Sequence, residues 1–256
     1  MPDIDWNYFW GNDIAAWESR GEPGFYGDQW GDPEKQQNLR GIVATFIEPF
    51  IKPGHVALEI GSGGGRWTQY LLKFSRLYSV ELNRQSFHYL LQRFGACPNL
   101  SFCQTNGTDF PGVPPQSVDF AFSYDVFVHL EPELIFSYLS NLKALLKPTS
   151  NVVIHYADQT KPGVDGIYGF AKTDAAIVHE VVSRAGYEVL EEDKKSMWHS
   201  NLMRLVPLGL KTLQPSSAPE VQPEASPQSS PARGVIQSFK VDLPCATVQV
   251  IVEEKR

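Results

Sequence analysis

An apolar run that ends in an acidic residue and breaks into glycines constrains this chain more than any other stretch. Residues 56–60 read VALEI, and Gly61, Gly63, Gly64 and Gly65 follow. Val56, Ala57, Leu58 and Ile60 suit a short strand buried in a parallel sheet, and the glycines stop it. Arg66 to Phe74 then sets Trp67, Tyr70, Leu71 and Phe74 on one helical face. Strand, glycine turn and helix in that order let a ligand approach the backbone, with free N–H groups at the helix start. A second strand, LYSVEL (77–82), delivers Glu81 twenty residues beyond Gly61, the spacing at which a carboxylate accepts hydrogen bonds from ribose hydroxyls. A dinucleotide-binding GxGxxG turn requires glycine at position 66 and finds Arg66, which disfavours a nicotinamide-dependent oxidoreductase.

The segment ALEIGSGGGRWTQYL, followed by VELN, resembles the first two motifs of class I S-adenosylmethionine-dependent methyltransferases. It is most similar to a bacterial group whose turn reads LEIG, a small residue, then GGGRWT, a group similar to sugar and secondary-metabolite O-methyltransferases. The likeness covers roughly residues 25–207. It implies an α/β, Rossmann-like seven-stranded sheet in the order 3-2-1-4-5-7-6, S-adenosyl-L-methionine as cofactor, and methyl transfer to a small-molecule acceptor, here read as a hydroxyl. Carried over to this chain, Glu59, Gly61, Ser62, Gly63 and Gly65 should contact the methionine half, Glu81 with Leu82 the ribose, and Asn106 with Gly107 the adenine. Many members of the family carry an acid at the adenine position. Asn106 keeps only an uncharged carbonyl acceptor there, and Asp109 takes the role if the loop is shifted.

The stretch SVDFAFSYDVFVHLEPE (117–133) reads as a fourth strand running out at Tyr124 and Asp125. Ligands of doubly wound sheets sit beyond the carboxyl ends of the strands, which brings Asp125 and His129 towards the reacting end of the cofactor. A hydroxyl acceptor has to lose a proton, and the imidazole of His129, with an ordinary pKa of about 6.5, suits that task. Asp125 orients the base or holds the cofactor in this reading. A fifth strand, NVVIHYAD (151–158), adds His155 as a second candidate base. Asp125 and Asp158 together allow a minor magnesium hypothesis, but no ligand spacing requires a metal. Met197, Trp198 and His199 read as a connecting loop with one buried ring.

Around this core, residues 1–52 carry an unusual share of aromatic side chains, from Trp6 to Trp30, and read as an N-terminal cap or lid that excludes water. Residues 53–210 form the main domain. Pro215, Pro219, Pro223, Pro227 and Pro231 recur every four residues, so 211–234 reads as a disordered linker. Residues 235–256 alternate like a β-hairpin, which docks on a sheet edge, on a partner or on a second copy. A net charge of −7 without any basic run argues against nucleic acid. Three cysteines without a CxxC spacing suggest neither a disulfide framework nor a zinc site. No membrane-spanning or signal segment is expected, and a cytoplasmic location follows from the same reading. A competing function is a catalytically weak cofactor-binding module that recruits a partner through the hairpin.

Overall fold

The computed structural model describes residues 5–21, 23–210 and the backbone of two further strands, 236–243 and 246–253. The 211–234 linker expectation lies outside the described residues. The chain opens with α1 (Trp6–Arg20), capped by Asp5, whose carboxylate accepts the Tyr8 N–H at 3.0 Å, and ended by Gly21 at φ 61°. Next comes α2 (Gln37–Phe46), which turns Leu39, Ile42, Val43 and Phe46 into the core. A separate single turn at Glu48–Phe50 follows it, where Pro49 cannot continue the hydrogen-bond ladder.

The sheet is built from β1 (Val56–Ile60), β2 (Arg76–Glu81), β3 (Leu100–Gln104), β4 (Val118–Ser123), β5 (Leu146–Ala157), β6 (Tyr187–Asp193) and β7 (Ser200–Pro207). Its order is β3-β2-β1-β4-β5-β7-β6, with β1 to β5 parallel and β7 antiparallel to both β5 and β6. This is the class I methyltransferase fold. Between the strands lie α3 (Thr68–Leu71), α4 (Gln85–Phe94), α5 (Pro132–Lys143) and α6 (Ala175–Arg184). The helices bury both faces of the sheet. One core gathers Leu58, Val80, Phe127, Leu139 and Ile154, and the other Leu71, Phe74, Phe120, Phe122 and Val153.

Two elements differ from the sequence reading. The helix after the glycine turn is a single turn, α3, because Arg66 and Trp67 remain in the loop. Strand β5 begins at Leu146 and runs through Pro148. Its register against β4 jumps from Val118↔Leu146 to Phe120↔Asn151, so Pro148 sits in the irregular stretch where its missing N–H breaks no ladder bond. A separate hairpin, β8 (Ile236–Leu243) and β9 (Ala246–Glu253), forms a two-stranded sheet, and β9 lies beside edge strand β3 with Cα atoms within 8 Å. Among the described residues, no helix is long and apolar enough to cross a membrane.

Candidate active site

The carboxyl ends of β1, β2 and β4 open on a cavity of about 500 Å³, and the N-terminal segment closes it from above. Gly61, Ser62 and Gly63 form its floor. At Gly61 (φ 74°) an added Cβ would stand 2.1 Å from Val126 Cγ2, so the turn fits against the segment after β4 only without a side chain. At Gly64 the Cβ would meet the Tyr26 carbonyl oxygen at 1.7 Å, because the cap rests directly on the turn. Gly65 faces away from the cavity, against Phe94 and Leu90 of α4, and its role is packing.

Glu81 lies on the cavity wall at the end of β2. Its carboxylate accepts the N–H groups of Gly63 at 2.9 Å, Leu82 at 2.8 Å and Asn83 at 3.1 Å. Burial raises its pKa, and these three donors pull it back only in part. Leu82 lines the same wall. Glu59 does not: it is buried under the turn and accepts the Thr68 hydroxyl at 2.6 Å, and burial pushes its carboxyl up to about 8. Asn106 and Gly107 also lie off the cavity. Asp109 accepts the Thr105 hydroxyl at 2.6 Å and the Asn106 N–H at 3.0 Å, so the loop folds onto itself and Thr105 is what reaches the wall.

Beyond β4, Asp125 adopts φ 58°, a left-handed conformation uncommon for a side chain larger than glycine. Its carboxylate is ion-paired with Arg66, and the same guanidinium donates to the Trp30 carbonyl at 2.7 Å. Burial would raise the Asp125 pKa, but Arg66 and His155 outweigh it and hold the carboxyl below the usual range. Arg66 was read from the sequence only as the glycine that is missing. A charged residue sandwiched between the turn and the buried Trp67 was the available signal.

His129 lies on the cavity wall within an aromatic enclosure, with ring centroids 5.0 Å from Trp6, 5.4 Å from Trp10 and 5.6 Å from Phe170. Its Nδ1 is 2.9 Å from the Gly169 carbonyl oxygen, which can only accept, so the proton is on Nδ1 and Nε2 is bare. Burial lowers its pKa and favours this neutral form. His155 is placed differently from the expectation. It is fully buried on the interior strand β5, stacked on Tyr124 at 4.0 Å and bonded through both nitrogens, so it touches no acceptor. Asp158 is turned away too, held by Thr160 and Asn201. Among the described residues no three His, Cys, Asp or Glu side chains gather in a way that could hold a metal ion.

The aromatic cap is ordered by helical spacing. Trp6, Phe9, Trp10 and Asp13 recur along one face of α1 and line the cavity. Two buried polar atoms of wall residues, Trp67 Nε1 and Tyr124 Oη, have no hydrogen-bond partner among the described residues. His199, read from the sequence as a loop residue, also lines the cavity.

Comparisons with known proteins agree with this geometry. Residues 57–149 match the family model described as a methyltransferase domain. A structure of a SAM-dependent methyltransferase from Aquifex aeolicus is similar, with a TM-score of 0.51 and 20% identity over 69% of this chain and 99% of that one. Magnesium protoporphyrin IX methyltransferase from Synechocystis, solved with bound SAH, gives a TM-score of 0.57 at 14% identity over 78% and 97% of the two chains. A chain from the complex of a methyltransferase activator with a methyltransferase of Haloferax volcanii gives 0.59 at 15% identity over 78% and 98%. No curated protein sequence matches the chain. The strand order is that of the class I methyltransferase fold, and residues 57–149 match a methyltransferase domain.

Proposed function

We propose that the cavity holds S-adenosylmethionine against the β1 turn and passes its methyl group to a small acceptor, a hydroxyl on a sugar or secondary metabolite. The observation that carries this reading is the placement of Glu81 on the wall of a cavity floored by Gly61–Gly63. Glu81 Oε2 accepts only the Gly63 N–H and keeps a lone pair for a ribose hydroxyl, whereas Oε1 is taken by the Leu82 and Asn83 N–H groups. The bare side of Gly63, with nothing within 4 Å of an added Cβ, leaves room for a ligand. The cofactor supplies an activated methyl group on a sulfonium centre. What remains for the chain is to orient the acceptor, exclude water and take the proton.

In this reading the bare Nε2 of His129 accepts the hydroxyl proton, Gly169 holds the ring in the required tautomer, and Asp125 orients the neighbourhood through Arg66. Trp6, Phe9, Trp10 and Phe170 give the acceptor apolar faces and keep the site dry. The first test is calorimetric titration with S-adenosylmethionine and S-adenosylhomocysteine, with NAD as control. Micromolar binding of the first two alone supports the reading, and binding of NAD alone overturns it.

A further inference from the structure

The two imidazoles on the cavity wall are not equivalent. His129 is backed by a neutral carbonyl. His199 begins a line of four side chains that leads into the interior. Its Nδ1 is 2.7 Å from Ser200 Oγ, Ser200 Oγ is 2.5 Å from His155 Nε2, and His155 Nδ1 is 3.1 Å from Asp125 Oδ1. Ser200 and His155 are fully buried.

The line can be polarised in only one of two directions. The Asp125 main-chain N–H also approaches His155 Nδ1, at 3.2 Å, and a donor there would reverse every bond. Asp125, however, is an ion-paired carboxylate, and a bare ring nitrogen facing it would set lone pair against negative charge. The His155 proton therefore belongs on Nδ1, donated to Asp125. With His155 neutral in the resting state, its Nε2 accepts from the Ser200 hydroxyl, Ser200 Oγ accepts from His199 Nδ1–H, and His199 Nε2 is left bare.

We propose that His199 is a second general base of the cavity, with Ser200 and His155 as positioning residues and Asp125 as the charged end of the line. The inference rests on the methyl-transfer reading above and adds to it. The acceptor O–H bond breaks and its proton passes to His199 Nε2. The Nδ1 proton moves to Ser200 Oγ, and the Ser200 hydroxyl proton moves to His155 Nε2. The electron pair left on the acceptor oxygen forms the bond to the methyl carbon, and the pair of the broken carbon–sulfur bond stays on sulfur. The positive charge comes to rest on His155 beside the Asp125 carboxylate, where a carboxylate compensates it. On His129 the same charge would be hydrogen-bonded only to a carbonyl, with Asp125 acting on it through space. The groups facing His199 are consistent with charge moving onwards. Burial, His155 and the Lys161 ammonium, which donates to the Ser200 and Met197 carbonyls, disfavour an imidazolium on His199, whereas Asp125 favours one.

The test is histidine-selective ¹⁵N NMR of the full-length protein at neutral pH, with and without S-adenosylhomocysteine. His199 is expected in the Nδ1–H form with a bare Nε2. Ser200→Ala is expected to shift its tautomer ratio roughly tenfold towards Nε2–H, the effect of one lost hydrogen bond, and to leave the His129 signals in place. An Nε2–H tautomer at His199 in the unaltered protein overturns the proposal, because the line would then run the other way and His199 would donate. A tautomer unmoved by Ser200→Ala also overturns it. The unaltered protein decides the matter if the variant does not fold. Binding of S-adenosylhomocysteine is read in the same samples, so its failure would sink the methyl-transfer reading and leave the tautomer result standing.

Discussion

The guanidinium of Arg66 is ion-paired with the carboxylate of Asp125, and that contact joins the turn after β1 to the turn after β4. The same guanidinium holds the Trp30 carbonyl of the cap. Arg66 is almost wholly buried, so removing its charge strands Asp125 next to apolar rings. Arg66→Met is expected to lower unfolding stability by about 3 kcal/mol, at the lower end for a broken buried pair because Asp125 keeps some solvent contact. Urea denaturation measures this, and a loss under about 0.5 kcal/mol would show the pair to be marginal.

Glu59 should make the protein less stable as pH rises. Its folded pKa of about 8 stands above the unfolded value near 4.3, so between those values the folded state holds a proton that the unfolded state has lost. Its contribution is complete below pH 4 and declines towards pH 8. Glu59→Gln keeps an acceptor for Thr68 and removes the ionisation. The variant should match the unaltered protein below pH 4 and exceed it at pH 8 by something on the order of 3–5 kcal/mol. Parallel denaturation curves at both pH values check this. An advantage that is constant with pH would mean that Glu59 ionises freely.

Glu81→Ala removes the carboxylate assigned to the ribose and should weaken S-adenosylhomocysteine binding by roughly 10- to 100-fold, the range for hydrogen bonds to a charged group. His129→Ala should leave that affinity within about twofold and act on turnover instead. Calorimetry separates the two. An equal loss in both variants would move His129 into the cofactor site.

Gly64→Ala tests whether the cap depends on the turn. A methyl group there collides with the Tyr26 carbonyl, which is main chain and cannot swing aside. The expected result is faster proteolysis within residues 5–30, a changed tryptophan emission and weaker ligand binding, with the sheet intact. Unchanged proteolysis would show that the cap adjusts.

Much of the fold was legible in the chain because its signals are local. The apolar run into glycines marks β1 and its turn, and the position of Glu81 follows from a fixed spacing along one βαβ unit. His129 was legible because a residue just past a strand end must lie near the mouth of the sheet. The cap helix was less so. Its aromatic content stood out, but whether Trp6, Phe9 and Trp10 face a cavity depends on where α1 lands. The reach of β5 through Pro148 was hidden as well, because a register jump against β4 is a property of two strands.

The sequence by itself determined the glycine turn and the acid at the end of β2, which rest on residues close together in the chain, while the strand order was implied by the family resemblance those motifs carry. Only the tertiary structure decided that Arg66 pairs with Asp125, that Asn106 turns towards Asp109, and that His155 is sealed while His199 faces the cavity. The physical reason is that hydrogen bonds and burial depend on distances in space. Asp125, His155 and Ser200 lie 30 and 45 positions apart along the chain and meet only because β7 runs back antiparallel to β5 at the end of the sheet.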